Sequence, residues 1–212
     1  MSMKLWHCKD TRSLRPLWTL EELGLDCEIE VLPFPPRFLQ KEYLDTNPLG
    51  TVPYFQDGKA TMTESTGICH YLVEKHPDTS LRIAPDHPDY GSYINWLFHS
   101  DATLTFPQTL VLRYGRFESA ERRNPQVVED YRRWYLARLQ RLNHHLLDNE
   151  FLCGGRFTVA DIAVHYALFL GELAGYANEY EEQTFEYLQR LKKRPAFERA
   201  RAYSHPAQPQ PF

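Results

Sequence analysis

The spacing of apolar side chains changes along this chain, and the change divides it. Up to about residue 75, short alternating runs are interleaved with helical ones; beyond that the pattern is helical only. "KLWHC" opens the chain as a β-prone run. Leu14, Leu17, Trp18, Leu20 and Leu23 then recur near the helical period and stop at Gly24, a natural terminator. In "CEIEVLP", Cys27, Ile29 and Val31 share one face and Glu28 and Glu30 the other, which predicts a strand. Strand, helix and strand in that order predict a right-handed βαβ unit. A polar, proline-rich stretch with a weak helix, "RFLQKEYLDT", leads into Asn47-Pro48-Leu49-Gly50, which is turn chemistry. "TVPYF" and "KATMT" flank Asp57-Gly58, so a hairpin is expected with that pair supplying the positive φ angles of a tight turn. From Glu64 to Lys75 the pattern is helical again, with Ile68, Tyr71 and Leu72 on one side.

"HPDTSLRIAPDHPD" carries three prolines and reads as a connection. Tyr90, Tyr93, Ile94, Leu97 and Phe98 start a long helix, and Tyr131, Trp134, Tyr135, Arg138, Leu139 and Leu142 continue at the same period. At Phe157–Ile162 a threonine precedes an acid by three residues, with apolar residues flanking both. This is a capping-box start with a hydrophobic staple, and it does no chemistry. "RPAFERA" opens a short last helix with Pro195 in its first turn, and Pro206, Pro209 and Pro211 make a ragged tail. The division expected is an α/β domain over 1–78, a linker over 79–87 and an all-helical domain over 88–212.

Charge narrows the function. Lys and Arg total 24 against 28 Asp and Glu, a formal net charge of −4, which gives no basic face for nucleic acid. With 42% hydrophobic and 14% aromatic residues the chain can build a core. Its apolar runs, such as "IAVHYALFL", fall far short of the roughly 20 residues of a membrane span. "MSMKLWHCKD" holds no apolar signal core, so a cytoplasmic protein is expected. Cys8, Cys27, Cys69 and Cys153 form no CxxC pair, and the nine histidines fall at no ligand spacing, so no metal is expected.

"NPLGTVP", "TESTGICHYL", "RFTVADIAV" and "RPAFERA" stand in the order in which the glutathione transferase family carries such segments. Each is weak alone; four in order cover nearly the whole chain. The segment from Thr11 to Leu25, "TRSLRPLWTLEELGL", resembles the "SRSxRxLWLLEELGL" of the family's serine-type bacterial and fungal branch. The resemblance implies an α/β thioredoxin-like domain (βαβ-α-ββα) followed by an all-α helical bundle. It also implies glutathione as co-substrate, a small hydrophobic electrophile and a homodimer.

The residues themselves support part of this. The first N–H groups of a helix attract an anion, and a serine hydroxyl adds a donor. Glu64-Ser65 therefore reads either as a ligand site or as an ordinary helix start, with Ser65 or Thr63 as cap. In the family this pair holds the γ-glutamyl end of glutathione. Pro53 removes a ladder donor and by itself suggests an edge strand. The resemblance instead implies a cis Val52-Pro53 bond that lets the Val52 backbone pair with the cysteinyl part of glutathione.

Thiol activation needs one donor. A hydrogen bond to a charged group is worth about 1.5–3 kcal/mol, enough to lower a thiol pKa by about one to two units. Thr11 and Ser13 are the candidates, beside a backbone N–H or Arg12. Pro16 cannot donate to a carbonyl four residues back, so the helix N-cap falls at Ser13 or later. That leaves Ser13 occupied in capping and Thr11 free in the loop, where the family has its first serine. The first strand carries no tyrosine, which closes the route that other branches use.

Cys8-Lys9-Asp10-Thr11 imitates a CxxT redox motif, but Cys8 lies several residues before the helix and reads as the end of a strand. Trp18 reads as core. For the electrophile pocket, Trp6, His7, Phe34, His99, Phe106 and Tyr114 are candidate wall residues. Two alternatives to a transferase stay open: a glutathione-dependent disulfide reductase or peroxidase, and a non-catalytic glutathione-binding relative.

Overall fold

A computed structural model describes residues 3–206. The expected ragged tail beyond Pro206, including Pro209 and Pro211, lies outside the described residues. The chain divides into two units: Ile83–Leu191, and the rest of the described residues. The helix at 195–202, expected in the helical domain, therefore belongs with the N-terminal part of the chain, and the division falls four residues beyond the expected end at 78.

The first unit is built on a four-stranded sheet in the order β2-β1-β3-β4. β1 (Met3–His7) runs parallel to β2 (Cys27–Val31), with α1 (Leu14–Leu23) between them in sequence; this is the expected βαβ unit. Lys4 bridges Glu28 and Glu30 at 2.8 Å each, which fixes the polar face of β2 as the alternation predicted. α1 ends at Gly24 in the left-handed region, as expected. The "weak helix" resolves into two single turns, α2 (Pro36–Leu39) and α3 (Tyr43–Thr46).

β3 (Tyr54–Asp57) and β4 (Ala60–Met62) form the hairpin, and Asp57 pairs with Ala60. The two turn residues are thus Gly58 and Lys59, with positive φ only at Gly58. Asp57 is the last strand residue rather than a turn centre, a one-residue shift from the expectation. A glycine at the first central position with an ordinary φ at the second is the II′ pattern. β3 lies between β1 and β4, so Pro53 leads into an interior strand and the edge-strand reading fails.

α4 (Ser65–Lys75) follows, and α11 (Pro195–Ala202) closes the unit by packing on α1. Trp18 meets Phe197 edge-on with centroids 4.9 Å apart. Arg194 binds the Glu22 carboxylate at 2.6 Å, Arg199 reaches Glu21 at 2.7 Å, and Arg201 reaches Asp10 at 3.1 Å.

The second unit contains α5 (Tyr90–Phe98), α6 (Phe106–Leu112), α7 (Pro125–Arg138), α8 (Gln140–Leu146), α9 (Val159–Leu173) and most of α10 (Glu182–Lys192). The long helix expected from Tyr90 does form. It relaxes twice into π-helical turns, at His99–Thr105 and Arg113–Phe117. α9 is buried on all sides from Val159 to Gly171. Trp134, by contrast, is exposed under Arg138, so the α7 stripe is narrower than its aromatic spacing implied.

Candidate functional site

None of the five helix starts in the first unit carries a side-chain cap, and two of them, those of α4 and α1, hold the expected site residues. α4 has Glu64 as its N-cap, in an extended conformation, and no side chain accepts from its first turn. The expected caps are therefore overturned: Ser65 is already the first helical residue and Thr63 lies outside the cap position. Thr63 Oγ1 instead donates to the Glu64 carboxylate at 3.4 Å. Ser65 is fully buried, yet Glu64 beside it is exposed.

Behind Ser65 stands Arg15, which is also 0% exposed and donates to Ser65 Oγ at 3.0 Å. Because the serine oxygen accepts from the guanidinium, its own proton is left for another acceptor. A buried cation, a hydroxyl proton and open helix N–H groups together favour an anion at this point. Arg15 escaped the sequence reading because α1 is buried all round from Leu14 to Leu20, whereas the apolar stripe left position 15 facing out. Its signal was there as the second arginine of the "TRSLR" segment.

The approach to Val52 is equally well supported. Asn47 is buried; its amide donates to the Thr51 carbonyl at 2.8 Å, and the Tyr43 hydroxyl donates to the same oxygen at 2.7 Å. Gly50 has φ +59°, and a Cβ there would stand 2.7 Å from Arg37 Cβ, so the turn requires glycine. The Val52-Pro53 bond is cis, as the resemblance implied; so is Phe34-Pro35, which nothing in the sequence indicated. Among the described residues, the Val52 N–H and C=O have no hydrogen-bond partner.

The α1 start differs most from expectation. Ser13 is the N-cap, where Pro16 placed it, but its hydroxyl caps nothing. It is 0% exposed and lies 2.7 Å from His7 Nδ1, 2.8 Å from Thr11 Oγ1 and 3.2 Å from the Cys8 N–H. Thr11 is not free either: its hydroxyl donates to the Cys8 carbonyl at 2.8 Å. Asp10, just before it, is the one non-glycine residue with positive φ among the described residues, at +58°, and its carboxylate binds Arg201. Arg12 is half-buried in the same loop.

Cys8 is buried, with its thiol pKa pushed up to about 12 by burial. His7, expected as a pocket wall, is buried too; loss of solvation pulls its pKa down to about 3, so it is neutral at physiological pH. Trp6 joins Cys8, Leu32, Tyr43 and Val52 in one core cluster, with Phe34 packed against it. Those two candidates adjoin the Val52 segment. Phe106, exposed on α6, and Tyr114, half-buried beneath Arg113 in the second π-helical turn, belong to the other unit. So does His99, edge-on to Trp96.

A family model described as the N-terminal domain of glutathione S-transferase matches residues 12–80, the span that holds α1, Val52-Pro53 and Glu64-Ser65. The fission yeast protein "Glutathione S-transferase 3" is 25% identical over 98% of this chain and 96% of its own. "Glutathione S-transferase GstA" of Escherichia coli O157:H7 is 27% identical over 91% and 94%. Residues 12–80 thus match the N-terminal domain of glutathione S-transferase, and the chain resembles that family along nearly its whole length. A glutathione transferase family member from Pseudomonas fluorescens, crystallised with two glutathione bound, superposes with a TM-score of 0.78 at 25% identity, covering 94% of this chain and 92% of that one. The architecture described above, a thioredoxin-like domain followed by a helical one, is thus that of the glutathione transferase family.

Proposed function

We propose that this protein is a working transferase, which binds glutathione in its N-terminal unit and activates the thiol for attack on a small hydrophobic electrophile. The observation that carries this reading is the open start of α4. There Arg15 holds the buried Ser65 oxygen, so that the hydroxyl proton and the first helical N–H groups are directed to a carboxylate. Glu64 then lies beside the ammonium of the γ-glutamyl group. The Val52 backbone, without partners among the described residues, supports pairing with the cysteinyl residue as an added strand. Thr11 is the thiol donor in this reading: at 7% exposed it is the more accessible of the two hydroxyls, while Ser13 is sealed behind it.

A thiolate stabilised by one hydroxyl would gain about 1.5–3 kcal/mol, moving the thiol pKa from about 8.5 towards neutrality. The reductase alternative through Cys8 loses support, because a buried thiol with a pKa near 12 is essentially never ionised at neutral pH. A cytoplasmic homodimer completes the reading, on the strength of the family resemblance.

The test has two parts. Titration calorimetry should show glutathione binding that weakens in Ser65→Ala, and turnover should be seen on a panel of aryl halides, peroxides and mixed disulfides. Unchanged affinity in Ser65→Ala removes the anchor; binding without turnover on any of the panel removes the enzyme.

A further inference from the structure

His7 has no part in the reading above, yet it sits one hydroxyl behind the proposed thiol donor. It is 1% exposed, its Nδ1 lies 2.7 Å from Ser13 Oγ, and its buried Nε2 has no hydrogen-bond partner among the described residues. Three short contacts run in series from it: His7 Nδ1 to Ser13 Oγ at 2.7 Å, Ser13 Oγ to Thr11 Oγ1 at 2.8 Å, and Thr11 Oγ1 to the Cys8 carbonyl at 2.8 Å. The direction of each can be deduced. A carbonyl has no proton to give, so the last contact must use the Thr11 proton. Thr11 has no second proton, so the middle contact uses that of Ser13, which meets Thr11 Oγ1 at 2.8 Å against 3.2 Å to its other acceptor, the Cys8 carbonyl. Ser13 then has none left, and the first contact must be donated by the imidazole.

The opposite tautomer fails on both counts. It would make Ser13 donate to His7, and the Ser13–Thr11 contact could then be bridged only by turning the Thr11 proton away from the Cys8 carbonyl. It would also leave a buried Nε2–H with no acceptor, and orphaned N–H groups are rarer in folded proteins than under-satisfied acceptors. We propose that His7, in its Nδ1–H tautomer, is a positioning residue that orients the Ser13 and Thr11 hydroxyls so that the Thr11 proton remains at the open end of the chain, available to a thiolate. This deepens the reading of Thr11 as the thiol donor and rests on it.

When glutathione binds, the Thr11 hydroxyl rotates its proton from the Cys8 carbonyl to sulfur. That carbonyl keeps the Thr11 N–H at 3.3 Å. No proton is transferred and no bond other than hydrogen bonds changes. The two donors upstream polarise the Thr11 O–H and strengthen its bond to the anion. His7 can serve because it stays neutral: burial disfavours its cation, and a neutral ring has one fixed donor.

The first measurement uses the unaltered protein. Histidine ring nitrogen-15 resonances, taken with and without glutathione at neutral pH, should show His7 protonated on Nδ1 and bare on Nε2. An Nε2–H tautomer overturns the proposal. The second compares the thiolate absorbance of bound glutathione against pH in three variants. His7→Leu, which removes the donor, should raise the thiol pKa by about one unit, a tenfold loss of thiolate below that pKa. His7→Asn, whose amide N–H can occupy the Nδ1 position, should restore most of it. Thr11→Val should raise it at least as far as His7→Leu. If Thr11→Val shifts the pKa and His7→Leu does not, the orienting role falls and the Thr11 assignment stands. If neither shifts it, both fall. Should His7→Leu not fold, the tautomer measurement alone decides.

Discussion

The start of α9 and the start of α4 solve the same problem in opposite ways. At α9 a capping box closes the start. Thr158 Oγ1 accepts from the Ala160 N–H at 3.3 Å, and Asp161 reaches back to the Thr158 N–H at 2.8 Å. The same carboxylate also takes the Leu152 N–H at 3.0 Å and the Tyr187 hydroxyl at 2.9 Å. At α4 nothing caps the helix, and a buried arginine turns the one serine there into an outward donor. The start of α9 is saturated from within the chain; that of α4 leaves its donors open beside a buried cation. The α1 start is intermediate, its hydroxyls engaged with each other and with Cys8 instead of with the helix.

The largest expected effect is at the closed start. Asp161→Ala strands several buried donors, each costing about 1–3 kcal/mol, and removes a cap worth about 1 kcal/mol. A loss of roughly 3–5 kcal/mol in urea unfolding is expected; a loss below about 1 kcal/mol would mean that the start of α9 is not held by that carboxylate. Acid should act next, through the α1 start. The unfolded chain takes up a proton on His7 near its ordinary value of 6.5, the folded protein only near 3. Stability is therefore full above 6.5 and falls as pH drops through the window between these values, by up to about 1.4 kcal/mol per unit. His7→Asn should flatten that slope in unfolding curves taken at pH 7 and pH 4.5, and an unchanged slope would place the acid sensitivity elsewhere.

At the open start, Ser65→Ala should weaken glutathione by about 1–3 kcal/mol. Calorimetry should find this without a matching loss of stability; a drop in stability with intact affinity would make α4 a second closed start. Thr11→Val should raise the bound thiol pKa by about one to two units with affinity little changed, while Thr11→Ser keeps most of the activity. If Ser13→Ala shifts the titration and Thr11→Val does not, the inner hydroxyl is the donor. Cys8→Ser should change nothing in conjugation assays. Lost reductase activity in that variant, with conjugation negligible in the parent, would move the protein into the redox class.

Much of this comparison could be read from the chain. The Thr158–Asp161 spacing is itself the capping box, because its two bonds are local and depend on nothing else. The βαβ order and the stop at Gly24 follow equally from local periodicity. What could not be read depends on contacts distant in sequence. Ser13 was placed correctly by Pro16 but given the wrong bond, since its actual partner, His7, sits on a strand whose position only the folded sheet defines. Arg15 lies on the polar side of the α1 stripe and is buried in the fold, where it meets Ser65, 50 residues on. The turn at Gly58 slipped by one residue because Asp-Gly suits two turn phases, and strand pairing decides between them.

The clasp between α11 and α1 has a consequence in time. Arg201 and Asp10 are 191 residues apart, so at synthesis rates of 5–20 residues per second the partner of Asp10 is made about 10–40 s after it. Until then the left-handed Asp10 and the loop that carries Thr11 lack one of their fastenings. Completion of the Thr11 loop therefore waits on a helix made after every strand of its own sheet.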